Sequence, residues 1–456
     1  MPGHKRHALG AMSEEYASID LTEVDSVDDL HDPEGIILES QKFAAQVLGA
    51  DETFFLINGS TAGVLAAVCA SVRKGGKLLL VRGSHKSAYN AVYLRDIRPA
   101  YITVSGPDED GIWDAASPED VRKVLDDNPD AEAVLITSPT YEGRMSDIAS
   151  IAETVHSRNI PLIVDEAHGA HLSFTGGCGS DAIRNGADIV IQSLHKTLPA
   201  PTQTAVLSVK GDLVDRNAIR RFLGVYQSSS PSYPLMAMMD GCIRYMAENS
   251  GNLIQNLHDN FENLLKRLEV CDKLICGPKI ADLKSGKADY GKLIISARKT
   301  CITGKEIADI LRDRYRIETE MAAPGFVLAM FTVCDGPEGY DRVADALIDL
   351  SGRLERYGLL AEDGEKLMDL SIPLPAPVSR MPYAEAADSE SEEIPLSESA
   401  GRISSSIVCL YPPGTPVIAP GEEIERRHAE YLDMCLKAGL NVKGLSGKLI
   451  KVVKNG

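Results

Sequence analysis

Between about residue 40 and residue 210, short runs of apolar and β-branched residues alternate with longer helical patterns, separated by Gly, Pro and polar punctuation. This rhythm predicts an α/β fold. The expected strands are Thr53–Ile57, Lys77–Val81, Ala100–Val104, Ala133–Thr137, Leu162–Val164, Ile189–Gln192 and Thr204–Val209. Most are too apolar to keep one side in water, which predicts a mostly parallel seven-stranded sheet covered on both faces by helices. Helices are expected over Thr61–Val72, Pro118–Asp126 and Asp147–Arg158, each beginning beside a capping or turn residue. A long helical pattern from Met236 to Leu268 reads as a connector to a smaller α+β unit. That unit has strands near Lys292–Ser296 and Phe326–Phe331 and helices near Lys305–Arg314 and Tyr340–Tyr357. The stretch Tyr383–Ser399, YAEAADSESEEIPLSES, is acidic and Ser-rich and is expected to form a solvated loop.

The chain has 456 residues, enough for a sizeable core, and its 44% apolar and 25% charged content fits a globular protein rather than a disordered or fibrous one. The formal net charge of −19 repels phosphate backbones and anionic lipid, so neither nucleic acid nor a membrane is an expected partner. The same field favours small cations. Nine cysteines occur without a CxxC pair, and the closest two, Cys271 and Cys276, have no matching second pair, so neither a metal site nor a disulfide framework is expected. No apolar run reaches the length of about 18 residues that a membrane span needs, and MPGHKRHALG lacks the apolar core of a leader, which points to the cytoplasm.

Four strand ends carry residues suited to chemistry. ADIVIQSLHKT runs a buried strand into a polar turn holding Ser193, His195 and Lys196, where open α/β sheets place ligands. A lysine there can present a neutral amine for a Schiff base, although a surface lysine fits the same short string equally well. PLIVDEAHGAH delivers Asp165, suited to hold a protonated pyridine nitrogen, or else a structural acid. NGSTAG, after ETFFLI, makes an anion cradle of exposed amides and the hydroxyls of Ser60 and Thr61, and is equally a routine helix start. GSHKS places His85, whose imidazole can stack on an aromatic ring; an ordinary loop histidine is the competing reading, as it is for His168. Together the four supply a phosphate cradle, a stacking ring, an acid and a lysine, the set that pyridoxal phosphate chemistry requires.

With PGHKRH at Pro2–His7, DLHDPEG at Asp29–Gly35, SPTYEG at Ser138–Gly143, SSPSYPLM at Ser229–Met236 and YPPGTPVIAPGE at Tyr411–Glu422, these strings occur in family order. The chain resembles the ornithine/lysine/arginine decarboxylases along nearly its whole length, in the short form without an N-terminal wing domain. The resemblance implies the fold type I of pyridoxal-phosphate-dependent transferases: an arm over residues 1–45, a cofactor-binding large domain over 46–285 with the connector helix, and a C-terminal α+β domain over 286–456. It further implies that Lys196 carries the cofactor covalently, Asp165 holds the ring nitrogen, His85 stacks on one ring face and Ala167 packs on the other. Ser60, Thr61, Ser193 and His195 then bind phosphate, with Ser229 or a neighbouring serine reaching across from a second subunit of a homodimer. His168 stands beside the cofactor's phenolic oxygen and the substrate carboxylate, and Glu320 receives the distal cation of arginine, lysine or ornithine. The implied reaction is decarboxylation to a polyamine precursor. An aminotransferase or lyase on the same fold remains the rival, with Arg380 as the candidate carboxylate clamp, followed by a catalytically silent regulatory paralogue.

Overall fold

The computed structural model describes residues 2–7, 10, 12–24, 27–176, 181–356, 359 and 374–454. Its centre is a seven-stranded sheet built from β1 (Glu52–Leu56), β2 (Lys77–Val81), β3 (Arg98–Ile102), β4 (Ala133–Thr137), β5 (Leu162–Asp165), β6 (Ile189–Ser193) and β7 (Ala205–Val209), in the order β1-β7-β6-β5-β4-β2-β3. Only β7 runs against its neighbours. Consequently β1, β2, β4, β5 and β6 end on one edge, where the chemistry-bearing strings leave the sheet.

The central strands are buried almost throughout, and successive residues pack into different clusters, one on each face. Leu78 and Leu80 pack with Val64, Tyr89 and Ile219 on one face, whereas Leu79, Val134 and Val164 pack with Val121, Leu125 and Ile151 on the other. The helices are those the pattern predicts, at Gly59–Ser71, Pro118–Asp127 and Ile148–His156, joined by Lys86–Arg95 and Arg216–Tyr226. The helix Gly59–Ser71 lies close against the sheet because Gly63 leaves room. A Cβ there would stand 2.6 Å from Leu56 Cδ1 and 3.0 Å from Ile191 Cγ2. The helix at Pro118 starts where it does because Ser117 and Asp120 cap each other's backbone amides. Strand β3 starts at Arg98, two residues before the expectation at Ala100, and includes Pro99, which an edge strand tolerates because it has ladder bonds on one side only.

The helix Tyr233–Leu268 starts at the Ser232 cap and Pro234, slightly ahead of Met236, and its buried face joins the first sheet's flank to a second, antiparallel sheet. That sheet, β8 (Ile275–Gly277), β9 (Lys292–Ser296), β10 (Met321–Ala322) and β11 (Phe326–Met330) in the order β10-β11-β9-β8, begins before residue 286. It is flanked by the helices Gly304–Tyr315 and Pro337–Arg356; Tyr357, the expected end of the latter, lies outside the described residues.

Residues 383–399 are not a loop. They form a helix, Tyr383–Asp388, and strand β12 (Ser391–Pro395), which pairs with β17 (Leu449–Val453). Composition misled here because an edge strand needs only its backbone bonds. Tyr383 and Ala386 bury one face of the helix, while in the strand Glu392 accepts from Arg402 and Glu393 from the Ser446 hydroxyl. The remaining C-terminal strands, β13 (Val408–Leu410), β14 (Pro416–Ile418), β15 (Val442–Lys443) and β16 (Leu445–Ser446), frame a small core around Ile418, Leu432 and Ile450. Arg82, just after β2, ties this segment to the large sheet through two hydrogen bonds to Glu422, at 2.7 and 2.8 Å, and one to the Val417 carbonyl.

Candidate active site

Parallel pairing of β5 with β6 sets Asp165 opposite Ile191, so that the acid and the Ser193–Lys196 turn leave the sheet side by side. Lys196 lies in a single helical turn, Leu194–Thr197, and its Nζ is 3.1 Å from His168 Nε2. Burial pushes the Lys196 ammonium down, against the pull of Asp165 and Glu320, which favours the neutral amine a nucleophile needs. Asp165 is buried and its carboxyl is pushed up by that burial, opposed by Lys196 and by the Ala167 amide that donates to Oδ1. Such a carboxylate is short of positive partners, which suits it to a pyridinium.

His85 caps the helix Lys86–Arg95. Its Nδ1 accepts from the Ser87 amide and faces Ser87 Oγ at 2.9 Å. Burial, with Lys196 and Lys86 nearby, lowers it to about 4, so the ring is neutral at ordinary pH. The C-terminal segment reaches this residue: a Cβ on Gly414 would stand 3.5 Å from the His85 ring, and the Gly414 carbonyl accepts from the Lys86 amide.

The phosphate-cradle residues fall at the same edge. Ser60 is half-buried and Thr61 exposed at the start of the helix Gly59–Ser71, with Gly59 at φ +71° turning the chain into it. Ser193 is fully buried, yet among the described residues its hydroxyl has no partner, an orphan that a phosphate oxygen would satisfy. His195 Nδ1 lies 3.0 Å from the Thr204 carbonyl, which can only accept, so Nδ1 carries a proton and Nε2 donates only from the imidazolium. The residues present therefore fit pyridoxal phosphate: an orphaned hydroxyl and open amides for the phosphate, a buried acid for the ring nitrogen, and a depressed lysine between them.

Ala167 is buried beside this cluster, whereas Ser229 stands exposed in a turn where Ser228 Oγ donates to the Ser230 carbonyl and Ser230 Oγ to Glu23; none of these contacts ties it to Lys196. Glu320, just ahead of β10, accepts from Tyr141 Oη at 2.5 Å, and Tyr141 in turn meets the edge of the His168 ring at a centroid distance of 4.6 Å. Arg380 is exposed and paired with Glu423, so it clamps nothing at this edge.

Sequence reasoning missed Lys292. This lysine begins β9 with only 1% of its surface exposed, and its Nζ is 2.7 Å from His168 Nδ1 and 3.2 Å from Met330 Sδ. The string KADYGKLIIS holds no local sign of this, since a lysine opening an apolar strand is ordinarily a solvated end. Tyr141 was visible only as part of the SPTYEG string.

The sequence matches the Orn/Lys/Arg decarboxylase major domain over residues 5–306 and that family's C-terminal domain over residues 366–450. It is 32% identical to an arginine decarboxylase of Bacillus subtilis, covering the whole of this chain and 93% of that one. It is 22% identical to the constitutive lysine decarboxylase of Escherichia coli, over 92% of this chain and 70% of the relative. In structure it resembles the Francisella novicida lysine decarboxylase with a TM-score of 0.82 at 20% identity, covering 99% of this chain and 78% of the other.

Proposed function

The chain belongs to the Orn/Lys/Arg decarboxylase family and removes carbon dioxide from a basic amino acid; we propose that its substrate is arginine and that it works with pyridoxal 5′-phosphate carried on Lys196. The observation that carries the reading is the depressed Lys196 amine beside His168, on the same sheet edge as the buried Asp165 and the orphaned Ser193 hydroxyl. Arginine is favoured over lysine because four of the relatives at 31–32% identity are arginine decarboxylases, while the lysine enzymes stand at 22–23%.

When bound, pyridoxal phosphate supplies an electron sink conjugated to the substrate nitrogen, able to take the pair that carbon dioxide leaves behind. The protein's part is positioning and charge. Asp165 would keep the ring nitrogen protonated, and His85 and Ala167 would pack against the ring. Ser60, Thr61, Ser193 and His195 would hold the phosphate, joined by Ser229 from the second subunit of a dimer. His168 offers Nε2 where protons are exchanged with Lys196. Glu320, already held by Tyr141, faces the distal cation of the substrate.

Incubating the purified protein and cofactor with arginine, lysine and ornithine separately, and identifying agmatine, cadaverine or putrescine, tests the substrate. Agmatine alone is expected; cadaverine as main product overturns the arginine assignment. Transfer of the amino group to a keto acid without release of carbon dioxide would instead favour an aminotransferase.

A further inference from the structure

His168 has an amine on each side: Lys196 Nζ at 3.1 Å from Nε2 and Lys292 Nζ at 2.7 Å from Nδ1. A neutral imidazole carries one N–H and one lone pair, so two ammonium groups cannot both donate to it, and an imidazolium would need both amines neutral. A neutral ring with both contacts satisfied therefore needs a neutral amine facing its N–H, and a donor, ammonium or amine, facing its lone pair. Lys196 must be the neutral one to act as a nucleophile. Lys292, at about 8, is the ammonium below that pH, so Nδ1 accepts from it and Nε2 bears the hydrogen that faces Lys196.

We propose that Lys292 is a positioning residue for His168, fixing its Nε2–H tautomer and supplying a proton to Nδ1 whenever Nε2–H is given up; the proposal rests on the decarboxylase reading above. Loss of carbon dioxide from an amino acid consumes one proton per turnover. As the Nε2–H bond breaks, an N–H bond of Lys292 breaks and Nδ1–H forms, so the ring stays neutral and the positive charge leaves Lys292. The proton leaving Nε2 joins the carbon that carbon dioxide vacates; a solvent proton then reaches Nε2 while Nδ1–H returns its own to Lys292, which restores ammonium and tautomer together.

The surroundings are built for such a group. The Lys292 stem is packed against Gly143, where a Cβ would stand 2.7 Å from Lys292 Cβ and Cγ and where φ is +91°. The 140–145 loop is fastened to the 287–289 segment by the Asp289 amide on the Gly143 carbonyl and the Met145 amide on the Lys287 carbonyl. Charged and titratable groups face Lys292 from every side: Asp289 ahead of β9, Glu142 and Tyr141 from the loop after β4, Glu320 ahead of β10, and Lys196 across His168. On the far side of His168 stand His85 and His195. Asp289 is itself held at 2.8 Å by His171 Nε2, three residues beyond His168, which fixes the counter-charge. Burial lowers Lys292 to about 8 against the pull of Asp289 and Glu320, so its proton is available near neutrality.

The test uses holoenzyme with ¹⁵N-labelled histidine, in the wild type and in Lys292→Met, Lys292→Arg and His168→Gln, the last serving to assign the His168 signals. Two-bond ¹H–¹⁵N correlations should show Nδ1 unprotonated and Nε2 protonated in the wild type, and loss of that single tautomer in Lys292→Met. Lys292→Arg should keep the tautomer yet lose turnover, because a guanidinium holds its proton. In Lys292→Met, kcat should fall by about 10²–10⁴-fold with little change in KM, the range for losing a positioned proton donor. The wild-type decline of kcat above about pH 8 should disappear with it. A wild-type His168 protonated on Nδ1, or a Lys292→Met enzyme that keeps both tautomer and alkaline decline, overturns the proposal. Borohydride separates this from the parent reading: failure to fix pyridoxal phosphate on wild-type Lys196 defeats the decarboxylase mechanism itself, whereas fixation with an unaltered Lys292→Met enzyme defeats the Lys292 role alone.

Discussion

Asp165 and Lys292 show how one environment shifts opposite charges toward neutrality: burial raises the acid and lowers the lysine. In the proposed function the ring nitrogen of pyridoxal phosphate would restore a positive partner to Asp165. Asp165→Asn removes that partner and is expected to lower kcat by roughly 10²–10³-fold, the size seen on losing one preorganised electrostatic contact, with steady-state rates as the measure. Lys292 makes a prediction about stability as well. Its folded value of about 8 lies below its ordinary value of 10.5, so between those limits the unfolded chain binds more protons than the folded one. Stability therefore rises with pH through that window. Urea midpoints at pH 8 and pH 10 should increase more in the wild type than in Lys292→Met; equal increments would show that the lysine is not depressed.

The elements that bear these residues have their own constraints. Strands β5 and β6 carry their reactive ends to one edge because their parallel register leaves no alternative. Lys292, by contrast, is brought from β9 by the clamp between the 140–145 loop and residues 287–289. Gly143 is the narrowest point of that clamp. Gly143→Ala adds a methyl group in the left-handed region and against the Lys292 stem, and should destabilise by about 1–3 kcal/mol in urea unfolding. A shift under about 0.5 kcal/mol would mean that the loop relaxes freely. The acidic stretch 383–399 makes the opposite point, since its charge pattern suggested a loop while its backbone completes a sheet with β17.

The whole molecule is joined across its two main parts by Arg82 and Glu422, a pair from opposite ends of the chain buried behind Tyr89 and Tyr101. Removing one member leaves a buried charge unpaired. Glu422→Ala is expected to cost about 3–5 kcal/mol by urea denaturation, and to loosen the Gly414 contact on His85 enough to weaken cofactor retention on dialysis. Unchanged retention would separate the C-terminal segment from the site.

Much of this was readable along the chain. Strand placement, the helices behind them and the four reactive strand ends depend on neighbours a few residues apart, and local periodicity encodes those directly. Asp165, Lys196, His85 and Ser193 each sit where an apolar strand stops, and that position was visible from the order of apolar and polar residues. The contact of His168 with Lys292 spans 124 residues, and the bond between Arg82 and Glu422 spans 340. No local pattern marks such partners, because what selects them is the shape left between packed elements. The sequence by itself determined which residues could react; the tertiary structure decided which of them are neutral, which are charged and which face one another, since burial and distance exist only once the chain has folded.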